Sequence, residues 1–158
     1  SKRGEKRRFV RGVRKADREK YRQLLSSLEL GLENRLSTKV GLLSGGQRQA
    51  ITLLMATMNR PKLLLLDEHT AALDPKTAAK VLELTDQIVE KNHLTTLMIT
   101  HNMRDAIAHG DRLIMMHEGN IIIDVSGEEK KRLTVEHLLS LFTQASGEGA
   151  VSDRMVLN

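Results

Sequence analysis

The chain has no cysteine among its 158 residues, which excludes disulfides and thiolate metal sites. Tryptophan is absent, and Phe9, Tyr21 and Phe142 are the whole aromatic content. Three rings are too few for a platform that stacks single-stranded bases. Apolar runs are short: none approaches the ~20 residues that span a bilayer. The basic N-terminus lacks the apolar stretch of a secretory signal. Internal repeats and low-complexity linkers are missing too. What is present is ordinary for a soluble globular domain with a core: 40% hydrophobic and 28% charged residues. Charge is placed unevenly. Residues 1–20 carry ten Lys and Arg against three Asp and Glu, while the whole chain is only +5. Such a segment either contacts an anionic surface or is a solvated lead-in to a helix, the second being commoner.

Periodicity organises the rest. Tyr21, Leu24, Leu25 and Leu28 recur at helical spacing, which predicts a helix from Asp17 to about Leu30, stopped by Gly31. Residues 31–43 read as a loop. Ser44 and Gln47 form an S-x-x-Q capping box that starts a second helix, with Ile51, Leu54, Met55 and Met58 as its expected buried face. Asn59-Arg60-Pro61 ends it. The unalternated leucines 63–66 predict a strand buried on both faces of a parallel sheet. Asp74-Pro75 is a helix start, Asp as cap and Pro at the first position, for a helix to about Lys91. Residues 94–100 read as a strand. Asn102 caps a short helix ending near Gly110. Residues 112–125 read as a hairpin turning at Glu118-Gly119-Asn120. A last helix follows Thr134, with Val135, Leu138, Leu139 and Phe142 on one side. From Ser146 the pattern is weak. Strand–helix–strand–helix–strand predicts an α/β fold with a parallel sheet. The expected organisation is a mainly helical subdomain with a basic lead at 1–60, an α/β part at 61–145 and a tail at 146–158.

Three groups of residues carry chemistry. Asp67 and Glu68 end the buried strand, the sheet edge at which α/β proteins bind ligands. An acid there suits magnesium, which takes oxygen ligands and keeps several waters. A second acid can orient or deprotonate water. His101 follows the next strand at the same edge. Gly45 and Gly46 open the helix capped by Ser44, where free N–H groups and the helix dipole favour an anion. Each group alone has a plainer reading: a polar turn, a surface histidine, a loop with glycine turns.

Their fixed order is more specific. Leu43-Ser44-Gly45-Gly46-Gln47, then Leu63–Asp67 with Glu68, then Ala72-Leu73-Asp74, then His101 resemble the signature, Walker B strand, catalytic glutamate, D-loop and switch histidine of the ATP-binding subunit of an ABC transporter. The resemblance covers most of residues 16–125. His69 stands where that family often has proline, Ala71 where it often has serine, and Met55 where many members have arginine. These departures bear on the subgroup. The run is also similar to ATPase subunits of bacterial importers of aromatic amino acids.

The resemblance implies a partial P-loop NTPase fold, corresponding to the C-terminal part of such a subunit. No residues match the Walker A loop, the base-stacking aromatic or the glutamine loop; Gln23 lies too close to Ser44 for the last. The strand bearing Walker A would lie beside the strand ending at His101, so an exposed apolar edge is expected. The resemblance further implies ATP and Mg²⁺ as cofactors and a head-to-tail dimer of two ATPase subunits. Ser44, Gly45, Gly46 and Gln47 would meet the partner's ATP. Asp67 would hold Mg²⁺ through water, Glu68 would act on the attacking water, His101 would contact the γ-phosphate and Asp74 would couple the two sites. Transmembrane permease subunits and a substrate-binding protein would be partners, with no nucleic acid. The location would be peripheral, at the cytoplasmic face of the membrane. The isolated chain is expected to be inactive, and Gly46→Asp is expected to fold normally while losing the contact with the partner. Two other classes are open: a non-catalytic interaction module, and an ABC-type ATPase acting on nucleic acid or ribosomes, suggested by the basic N-terminus.

Overall fold

The computed structural model describes residues 15–146. The basic segment up to residue 14 and the tail from 147 lie outside the described residues. The chain divides into two compact units after Leu97.

The first unit opens with α1, Lys15–Ser26. This helix stops short of Leu30 because its serines turn inward on it. Ser26 Oγ donates to Gln23 O and Ser27 Oγ to Leu24 O, both at 2.8 Å, competing with the backbone donors that would extend the helix. Glu29 and Gly31 then take positive φ, and two 3-10 turns, Leu32–Asn34 and Val40–Leu42, fill the expected loop. Helix α2 is Gly45–Thr57 and α3 is Pro75–Asn92. Between them lies β1, Leu64–Asp67.

The buried face of α2 differs from the expected one. Gly46, Ala50, Leu53 and Thr57 are buried, while Met55 is 51% exposed. Small residues at 46 and 50 let the helix lie close against its neighbour, whereas the larger side chains remain at the flank. Leu28, Leu32, Leu43, Ala50 and Leu84 form one core cluster, with Ile51, Leu54 and Ile88 partly buried against it.

The leucine run is covered on one side only. Leu64 and Leu66 are buried, but Leu63 and Leu65 are 51% and 65% exposed. The expectation of two covered faces fails because, among the described residues, no layer packs on the outer side. The strand β2, Thr96–Ile99, lies parallel beside β1 after the α3 crossover, with Leu64 N donating to Thr95 O. Leu97 on β2 is likewise half exposed.

The second unit begins with α4, Met103–Ala108, capped by Asn102, whose Oδ1 accepts from Arg104 N and Asp105 N. The expected third strand does not extend the β1–β2 pair. Instead β3, Arg112–His117, pairs antiparallel with β4, Asn120–Ser126, as a separate two-stranded sheet. Glu118 and Gly119 link them at φ 48° and 79°, the signature of a type I′ hairpin turn. A short helix that periodicity does not predict, α5 at Gly127–Lys131, precedes α6, Val135–Ser146. The core here is Met103, Leu113, Ile123, Val125, Leu133 and Leu138, and Phe142 is also buried. Among the described residues no helix is long and apolar enough to cross a membrane.

Candidate functional site

The helix start at Ser44 forms as a reciprocal cap. Ser44 Oγ accepts from Gln47 N at 3.2 Å, and Gln47 Oε1 accepts from Ser44 N at 3.1 Å. The other end of that amide is also held: Gln47 Nε2 donates to Leu30 O at 3.1 Å. So the Gln47 side chain fastens the helix start to the turn after α1. Its backbone N–H is taken by Ser44, which leaves Gly45 and Gly46 as the N–H groups without an acceptor inside the helix.

The glycines have a second role, which the sequence reading missed. A Cβ on Gly46 would collide with Thr77 Cγ2, and one on Gly45 would lie 2.8 Å from Leu73 Cδ2. The first turn of α2 thus packs against the segment that leads into α3. This overturns the expectation that Gly46→Asp folds normally: position 46 is buried and has no room for a side chain. No spacing rule points to Thr77, because the contact is made by two helices and not by one.

Asp74, at the end of that segment, caps α3. Its Oδ1 accepts from Thr77 N at 3.0 Å, and the Thr77 hydrogen bond holds its carboxyl below the usual range. Asp67 is the last residue of β1, and Glu68 follows it; both are exposed. Glu68 has φ 43°, a left-handed conformation that non-glycine residues seldom adopt. Its carbonyl accepts from Ala71 N at 3.1 Å, so the chain turns at once. His69 is half buried, and its Nε2 lies 3.1 Å from Thr85 Oγ1 on α3. His101, exposed, belongs to the second unit, directly before the Asn102 cap of α4.

The residues fit magnesium bound as that ion is usually bound beside a nucleotide. Such a site uses one or two carboxylates, with water and phosphate oxygens completing the shell. Asp67 offers one exposed carboxylate at a strand end. Among the described residues no group of three His, Asp or Glu gathers into an all-protein cage.

A strand buried on one face and ending in adjacent carboxylates, a parallel crossover and a serine-capped Gly-Gly helix are the arrangement of part of a P-loop NTPase core of the ABC type. The comparisons agree. The ABC transporter family model matches residues 3–71. The chain is 54% identical over 122 residues to the tyrosine transport ATP-binding protein of Clostridioides difficile (strain R20291), covering 77% of this chain and 49% of that protein. It is 39% identical over 132 residues to the methionine import ATP-binding protein of Halalkalibacterium halodurans, covering 80% and 39%. An aliphatic sulfonates import ATP-binding protein of Paraburkholderia xenovorans is 39% identical over 113 residues, covering 72% and 33%. Among solved structures, an ABC transporter in an inward-facing conformation matches with a TM-score of 0.64 at 31% identity, covering 86% of this chain and 52% of that one. An ATP-binding cassette of an ABC transporter in its ADP conformation matches at 0.63 and 26%, covering 86% and 53%.

The chain belongs to the ABC transporter ATP-binding proteins. It spans half or less of the length of the curated relatives it matches.

Proposed function

We propose that this chain is the signature and Walker B part of the ATPase subunit of an ABC importer, one that serves an amino acid, aromatic by preference. The observation that carries the reading is the 54% identity over 122 residues with a tyrosine transport ATP-binding protein. In this reading residues 1–60 belong to the helical subdomain, 61–145 to the ATPase core and 146–158 to the tail. The complete subunit would act as a head-to-tail dimer on permease subunits at the cytoplasmic face of the membrane, supplied by a substrate-binding protein.

The chemistry is attack of water on the γ-phosphoryl of ATP, a reaction catalysed mainly by positioning and charge stabilisation. Bound magnesium would neutralise charge on the phosphate oxygens, held through water by Asp67. Glu68 orients the attacking water and takes its proton at the carboxylate. His101 donates a hydrogen bond to the γ-phosphate. The Ser44 hydroxyl and the N–H groups of Gly45 and Gly46 face the triphosphate held by the partner subunit. Gln47 acts through the cap it makes with Ser44, and Asp74 through the start of α3, which the signature glycines touch.

The test joins this chain to the part of the tyrosine transport relative that lies outside the match, where this reading places the phosphate loop. ATP hydrolysis is expected in the joined protein. Glu68→Gln should abolish turnover and leave equilibrium ATP binding intact, because Glu68 serves the water and not the nucleotide. This chain alone should hydrolyse no more ATP than its own Glu68→Gln variant. Loss of ATP affinity in the joined variant, with turnover per bound ATP retained, would refute the assignment of Glu68.

A further inference from the structure

We propose that His69 is a positioning residue for Glu68, acting through Thr85; this rests on the reading of Glu68 given above. The residue after Glu68 is one of the places where this chain departs from the pattern it resembles. Proline there would lock its own φ and bias the residue before it toward extended backbone. Histidine removes both constraints, and Glu68 takes φ 43°. A non-glycine residue in that region persists only where its surroundings over-determine it.

Contacts before, on and after it do so. Before Glu68, β1 is fixed by its pairing with β2. On Glu68 itself, the carbonyl accepts from Ala71 N. Immediately after it, His69 reaches Thr85, which is 4% exposed in the middle of α3. The direction of this last bond follows from the hydroxyl. Thr85 Oγ1 has one proton, and it goes to Val81 O at 2.8 Å, a group that can only accept. The bond to His69 must therefore run from Nε2–H to Thr85 Oγ1. The imidazole is a fixed donor, anchored on a long helix, one residue from the carboxylate that acts on water. It replaces the stiffness of a proline ring with a side-chain strut and lets residue 68 keep its left-handed turn.

The joined protein described above separates this idea from the reading beneath it. If the joined wild type hydrolyses no more ATP than Glu68→Gln, the ATPase reading fails, and the role of His69 falls with it. If Glu68→Gln alone is dead, the strut is tested by variants. His69→Ala should lower kcat about tenfold with KM for ATP unchanged, the scale of losing one bond that positions a reacting group. Thr85→Val should do the same, and the double variant should be no worse than either single one, since both cut one strut. His69→Gln, whose amide N–H can reach Thr85, should recover most of the rate. Independently of activity, nitrogen NMR of this chain should show His69 Nε2 protonated. A wild-type kcat in His69→Ala, losses that multiply in the double variant, or an unprotonated Nε2 would each overturn the proposal.

Discussion

Glycine 46 shows how one residue can be right for a reason the sequence does not display. Read along the chain, Gly45-Gly46 at a capped helix start is a candidate anion site. Read in space, Gly46 is also the point where α2 meets Thr77 of α3. The two glycines are unequal in this respect. A methyl at 45 meets the free end of Leu73, which can swing aside; a methyl at 46 meets a β-branched side chain with little freedom. Gly46→Ala should therefore destabilise this chain by about 1 kcal/mol, the overpacking cost outweighing the helix-propensity gain. Gly45→Ala should stay within about 0.5 kcal/mol of wild type. Urea unfolding of the two variants checks the order, and equal midpoints would remove Thr77 as the constraint. The cap at Ser44, the cap at Asp74 and the cap at Asn102 were all legible, since each is a local pattern completed within a few residues. The Thr77 contact and the second bond of Gln47, to Leu30, join separate elements and leave no such trace.

At the scale of elements, legibility followed length and periodicity. The crossover helix was readable from its Asp74-Pro75 start, the last helix from its apolar face, and the hairpin from its turn. Helix α5 was not, because Gly127–Lys131 is five residues of mostly charged sequence. Its place is set by Lys130, a residue that looks exposed in sequence and is 4% exposed in the fold. Lys130 Nζ donates to Ile107 O at 2.6 Å and His109 O at 3.0 Å. These carbonyls lie at the open end of α4, which lacks internal partners for its last turn. Burial pushes the Lys130 pKa down, partly opposed by Asp111. Lys130→Met keeps the stem but strands both carbonyls. It should cost about 1.5–3 kcal/mol, the usual worth of hydrogen bonds from a charged donor, read as a lowered midpoint in thermal unfolding. An unchanged midpoint would mean that water replaces the ammonium at no cost. The leucine run failed differently: its buried inner face was predicted correctly, but coverage of the outer face depends on layers that the run itself cannot announce.

At the scale of the molecule, the described residues present Leu63, Leu65 and Leu97 to solvent, in a chain spanning half or less of its curated relatives. The same holds for function. The proposed role of the signature is fulfilled only against a second subunit, so a test must perturb that contact and spare the fold. Gly46→Asp cannot do this, since it would break the packing of α2 on α3. Ser44 can. It is exposed, and its duty in the fold is to cap. Asp and Asn cap helices about as well as Ser, so Ser44→Asp and Ser44→Asn should both keep the stability of the chain. They differ by one negative charge at the spot proposed to face the partner's triphosphate. In the joined protein carrying Glu68→Gln, ATP should still bind both variants, because the nucleotide's own phosphate loop is untouched. ATP-driven dimerisation should weaken only modestly in Ser44→Asn, whose amide N–H can replace the hydroxyl as a donor to phosphate. In Ser44→Asp it should weaken by about a hundredfold or more, since like charges brought together at an interface cost several kcal/mol. Light scattering against ATP concentration measures both. If the two variants dimerise alike, no phosphate approaches Ser44, and the capped glycine helix serves only the packing of α2 on α3.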